Sequence, residues 1–140
     1  MTTLKREAII FALAGTAGFL VDASTVLTLS NLAAFDLVSA KLVGFAVAVT
    51  VTWIINRNVT FAHRKDERLL REWTRYVSAN SFGGLINNGI YMLLVFTWAL
   101  PARYPVLAVA AGSLAGMMFN FVSSRCYVFV GESVKPQVAP

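Results

Sequence analysis

Charge is scarce in this chain of 140 residues: only 14% are Asp, Glu, Lys or Arg, against about 25% in a soluble domain. So few charges cannot cover a water-facing surface, which excludes a soluble enzyme, a disordered segment and a nucleic-acid-binding domain. The single cysteine, Cys126, has no partner for an intramolecular disulfide, and no Cys/His group has metal-site spacing. The one histidine, His63, lies in a basic segment and reads as a solvated loop residue. No metal, nucleotide or other cofactor is expected.

What charge there is clusters. Residues 8–35 hold only Asp22, residues 37–56 hold only Lys41, and 76–102 and 104–124 hold none. A bilayer-spanning helix needs about 20 mainly apolar residues. The expected fold is therefore an all-α membrane protein with four transmembrane helices, near 9–33, 38–56, 76–100 and 105–124, in one domain over 1–140. Lys5-Arg6 ahead of an apolar run resembles a signal peptide, but the run is nearly twice the usual h-region of about 7–15 residues. It reads as a retained first span.

The net charge of +5 then reports topology. With four spans both termini share a side. That side receives Lys5, Arg6, Arg57, Arg64, Lys65, Arg68, Arg71, Arg75, Arg125 and Lys135, and the other receives Lys41 and Arg103. Short-loop Lys and Arg stay in the cytoplasm, so both termini and the basic segment 57–75 are expected there. The outer turns fall near Ala34-Phe35-Asp36 and at Pro101–Pro105. Within 62–75, Leu69, Leu70, Trp73 and Tyr76 alternate with arginines at helical spacing. This suits either a plain topology-setting loop or a short amphipathic helix on the inner surface that gathers anionic lipid.

The chain also repeats internally. Asn56-Arg57-Asn58-Val59-Thr60-Phe61 matches Ser124-Arg125-Cys126-Tyr127-Val128-Phe129 at an offset of 68. The same offset pairs Ala40 with Ala108, Gly44 with Gly112, Ala48 with Gly116 and Thr52 with Asn120. An offset of 65 pairs Ala14 with Ala79, Gly18 with Gly83 and Asp22 with Asn87. Two parallel helical-hairpin repeats, both N-in and C-in, are the expected arrangement. Positions 40, 44, 48, 52 and 56 are four apart and form one ridge, small at one end and polar at the other. Small residues let helices approach closely in lipid.

Asp22 is the one acid deep in an apolar stretch, and an intramembrane carboxylate marks a functional site by default. It reads either as a titrating or hydroxyl-binding group, or as a carboxyl bonded to Asn87, Asn88 or a bundle hydroxyl. Arg57 and Arg125 at the ends of spans two and four could hold a phosphate by paired hydrogen bonds, or anchor helix depth by snorkelling. Thr52, Asn56, Asn87, Asn88 and Asn120 complete the candidate binding set.

These residues resemble the GtrA-like family of small four-span membrane proteins. The features are Gly15 and Gly18 ahead of Asp22, W-I-I-N-R-N-V-T-F at Trp53–Phe61, G-G-L-I-N-N at Gly83–Asn88 and F-N-F-V-S-S-R-C-Y-V-F at Phe119–Phe129. Ser124 stands where the family more often has Asn. The resemblance implies a non-enzymatic role in cell-surface polysaccharide synthesis at the inner membrane: flipping a polyprenyl-phosphate-linked monosaccharide, or assisting a membrane glycosyltransferase. Partners implied are the lipid-linked sugar, membrane lipids, that transferase and further copies of the chain as a homo-oligomer. A non-transporting anchor and a small multidrug-type cation transporter are the alternatives.

Overall fold

The structure is a computed structural model and describes residues 3–32 and 35–131. Ala34 of the first outer turn and Lys135 lie outside the described residues. Among those described, every regular element is helical: α1 (Thr3–Leu32), α2 (Leu37–Ile55), α3 (Leu69–Thr97), the single turn α4 (Ala99–Arg103) and α5 (Pro105–Ser123). Two π-helical turns continue α2 and α5, over Asn56–Thr60 and Ser124–Val128.

Local chemistry explains the ends. Asp36 caps α2, its carboxylate accepting from the Val38 and Ser39 amides at 3.0 Å each. The hydrogen bonds from Ser39, side chain first and backbone next, hold the Asp36 carboxyl below the usual carboxylate range. Pro105 opens α5, where its missing N–H and fixed φ cost nothing. The first π turn closes with the Phe61 amide donating to the Asn56 carbonyl at 2.8 Å, five residues back. The Asn56 amide is shared between the Thr52 and Trp53 carbonyls, as the Ser124 amide is between those of Asn120 and Phe121.

The basic segment divides. Helix α3 starts at Leu69, so only the last part of 62–75 is helical, and the residues before it are irregular.

The chain forms two compact units, one running to Trp73 and taking back the chain from Phe129, the other Thr74–Val128. In the first, α1 packs on α2, and Phe61 stacks on Phe129 (centroids 4.8 Å apart) with Phe11 edge-on at 6.3 Å. The Gly131 amide donates to the Arg64 carbonyl at 3.0 Å, tying the returning strand of chain to the loop. In the second unit α3 packs on α5 through Gly83, Gly112 and Gly116, and the Arg75 guanidinium lies 5.2 Å from the Tyr127 ring centroid.

Burial is inverted relative to a soluble protein. Ala14, Ala40, Ala48, Ala79 and Ala108 are buried, while Phe19, Leu42, Leu85 and Phe96 (83% exposed) face outward. Large apolar side chains exposed in such number along the helices belong in lipid. Among the described residues, three helices are long and apolar enough to cross a membrane: Thr3–Asn31, Val38–Thr60 and Pro105–Val128. Helix α3 spans 29 residues, but Asn80, Asn87 and Asn88 make its middle too polar to meet the same measure.

Candidate functional site: carboxylates paired to the cations of α2

Arg57 lies in the first π turn and does not stand free. Its Nη1 is 2.6 Å from Oε1 of Glu72, in the first turn of α3, and its Nη2 donates to the Asp66 carbonyl at 3.0 Å. Glu72 is wholly enclosed and the Arg57 side chain is only 14% exposed. Two further donors complete the carboxylate's shell: Trp53 Nε1 at 2.9 Å and the Asp66 amide at 2.7 Å. The guanidinium also lies 5.8 Å from the Trp53 ring centroid. A buried charge pair is tolerable only when its remaining valences are met in this way. Asn56 is buried beside it and accepts from the Thr60 hydroxyl at 2.7 Å.

At the other end of α2, Lys41 forms an ion pair with Asp22 of α1. The Lys41 side chain is 61% exposed and that of Asp22 19%. Asp22 also fits against Gly44, where an added Cβ would lie 2.7 Å from Oδ1. Its partner is thus a cation on the neighbouring helix. Thr52 packs against Gly18, and its hydroxyl donates to the Ala48 and Val49 carbonyls at 3.0 Å each.

The second unit carries corresponding residues, with Asn87 in place of Asp22, Asn120 in place of Thr52 and Arg125 in place of Arg57. Asn120 packs against Gly83, and Asn87 packs against Gly112 and Gly116. Asn120 Oδ1 and Ser124 Oγ are buried with no hydrogen-bond partner among the described residues. Asn88 is exposed and donates to the Gly84 carbonyl at 2.8 Å, so it does not join Asn87. Arg125 is half-buried in the second π turn. The contacts Gly18–Thr52 and Gly44–Asp22 recur as Gly83–Asn120 and Gly112–Asn87, at the offsets of 65 and 68 seen in the sequence.

Three functional-looking residues escape sequence reasoning: Lys41 as a partner, Glu72 and Glu7. Glu7 is buried, with Oε1 3.5 Å from His63 Nε2, so the loop histidine, though exposed, has a carboxylate within reach. A signal for the acids was available, because Glu7 and Glu72 are themselves 65 residues apart. Among the described residues no group of His, Cys, Asp and Glu converges as a metal site.

Apolar helices with outward-facing large side chains and glycine-lined contacts define a polytopic helical membrane protein. The chain belongs to the GtrA/DPMS transmembrane domain family, whose model matches residues 10–129. No curated protein matches it.

Proposed function

We propose that the chain translocates a polyprenyl-phosphate-linked monosaccharide across the inner (plasma) membrane, supplying glycosylation of cell-surface polysaccharide. Membership of the GtrA/DPMS family over nearly the whole chain carries this reading. The substrate has an anionic phosphate, a polar sugar and a long apolar tail. Each unit offers a guanidinium with polar groups further along its helices: Arg57 with Asn56, Thr52 and Asp22, and Arg125 with Asn120, Asn87 and Asn88. A guanidinium meets phosphate oxygens in pairs, and amides and carboxylates bond sugar hydroxyls.

In this reading α3 is the fourth span, both termini are cytoplasmic, and the hairpins α1–α2 and α3–α5 are parallel repeats. Supporting it, α2 and α5 have equal length, each runs into a five-residue π turn, and the glycine contacts recur. At about 1.5 Å per residue α3 is roughly 43 Å long, enough to span. The Nδ2 atoms of Asn80 and Asn88 donate to carbonyls of their own helix at 2.9 and 2.8 Å, which lowers the cost of placing them in lipid. We also expect a homo-oligomer and, as partner, a membrane glycosyltransferase that receives or supplies the lipid.

The test is reconstitution in liposomes with a fluorescent polyprenyl-phosphate sugar, reading its appearance on the opposite face. Arg57→Lys, Arg125→Lys and Asp22→Asn should each insert at normal level and lose transfer. Full transfer by all three would leave the chain as a non-transporting anchor of a glycosyltransferase.

A further inference from the structure

Helix α2 carries Lys41 near its start and the π turn that continues it carries Arg57, and each is met by a carboxylate from a neighbouring helix: Asp22 of α1 and Glu72 of α3. Sixteen residues separate the two cations, about 24 Å along a helix in a hydrocarbon core about 30 Å thick. The sequence alone offers no reason to keep Lys41. Its repeat equivalent is Val109, and its side chain is mostly exposed while the Asp22 carboxylate is not. The ammonium is held close by Asp22, yet it reaches in from an exposed position with donors to spare, since an ammonium has three.

We propose that Lys41 is a second phosphodiester-binding station, at the opposite end of the helix from Arg57, where the ammonium's remaining donors take the lipid phosphodiester while Asp22 stays paired. The inference rests on the translocation reading and adds the site where the phosphate arrives. A sugar phosphodiester carries one negative charge and meets the ammonium on its exposed side, so the mostly enclosed Asp22 carboxylate is never left as an uncompensated charge in low dielectric. The Arg57 end obeys the same logic. When Arg57 turns to a phosphate, Glu72 keeps the Trp53 and Asp66 N–H donors that already hold it.

The test counts bound phosphodiesters on the full chain by native mass spectrometry, using citronellyl-phosphoryl glucose as a soluble probe. The unmodified chain should take one more at saturation than the double variant Asp22→Asn/Lys41→Gln, which removes both charges and leaves no buried charge unpaired. Asp22→Asn should keep the full count, with that additional one bound several-fold more tightly because its competitor is gone. Lys41→Arg should also keep the full count. Inorganic phosphate at the same concentration should leave these counts unchanged, whereas displacement of the probe by it would overturn a lipid phosphodiester as the ligand. If Lys41 merely neutralises Asp22, the double variant will bind as many as the unmodified chain, and the station does not exist. The loss of one in the double variant of a chain that fails to translocate the lipid in liposomes would uphold the station and refute translocation.

Discussion

Removing the Glu72 carboxylate is the sharpest perturbation the first unit offers. Glu72→Ala leaves the Arg57 guanidinium, 14% exposed, with only the Asp66 carbonyl and the Trp53 face for company. It also orphans Trp53 Nε1 and the Asp66 amide, which now donate at 2.9 and 2.7 Å. Breaking a buried pair from one side costs about 3–5 kcal/mol, a shift of roughly a hundredfold or more in the folding equilibrium. Arg57→Ala should cost less, about 2–3 kcal/mol, because Glu72 retains two of its donors. The double variant loses the ion pair but strands no charge, only the two N–H groups, each worth about 1–3 kcal/mol if fully buried. The cycle should therefore show a coupling of about 2–3 kcal/mol. Equilibrium unfolding in mixed micelles, followed by the fluorescence of Trp53 and Trp73, measures it. Additivity within about 0.5 kcal/mol would refute a mutually dependent pair.

The glycine contacts make a second prediction. Gly112→Leu, where an added Cβ already meets Asn87 Oδ1 at 2.6 Å, should lower thermal stability in detergent far more than Leu107→Ala on an exposed position; equal, mild effects would mean the helices do not meet there. The Asp36 cap is pH-dependent in a defined sense. Its folded-state pKa is lowered from 3.8, so its contribution is present above that value and fades as pH falls through the lower folded value. Asp36→Asn, which keeps a capping oxygen, should remove this acid sensitivity from the unfolding curve, and an unchanged curve would show that the cap is not titrating. Topology is tested with reporter tags: those at the N-terminus, near Asp66 and at the C-terminus should all report the cytoplasm, and one between Pro101 and Pro105 the outside. An outside signal at Asp66 would overturn the four-span arrangement.

The helical class, the membrane setting and the glycine contacts were legible in the amino-acid string because each depends on local composition or on strict spacing. Long uncharged runs demand helices in lipid whatever their partners, and a glycine four residues from an alanine must line the same stripe. The recurrence of Gly18–Thr52 as Gly83–Asn120 needed only two offsets. The length of α3's polar centre and the helical start at Leu69 were less legible, since apolar content and amphipathic spacing blur where a span begins. The partners of the charges were not legible at all. Asp22 lies 19 residues from Lys41, and Arg57 lies 15 from Glu72, and each pair meets only because a chain reversal lays one helix beside the next. No periodicity encodes which residue across the reversal comes within 3 Å. That was decided by tertiary packing, where a buried charge must find an opposite one and the close approach of α1 to α2, and the folding of the 61–68 loop over Arg57, determine which one is there.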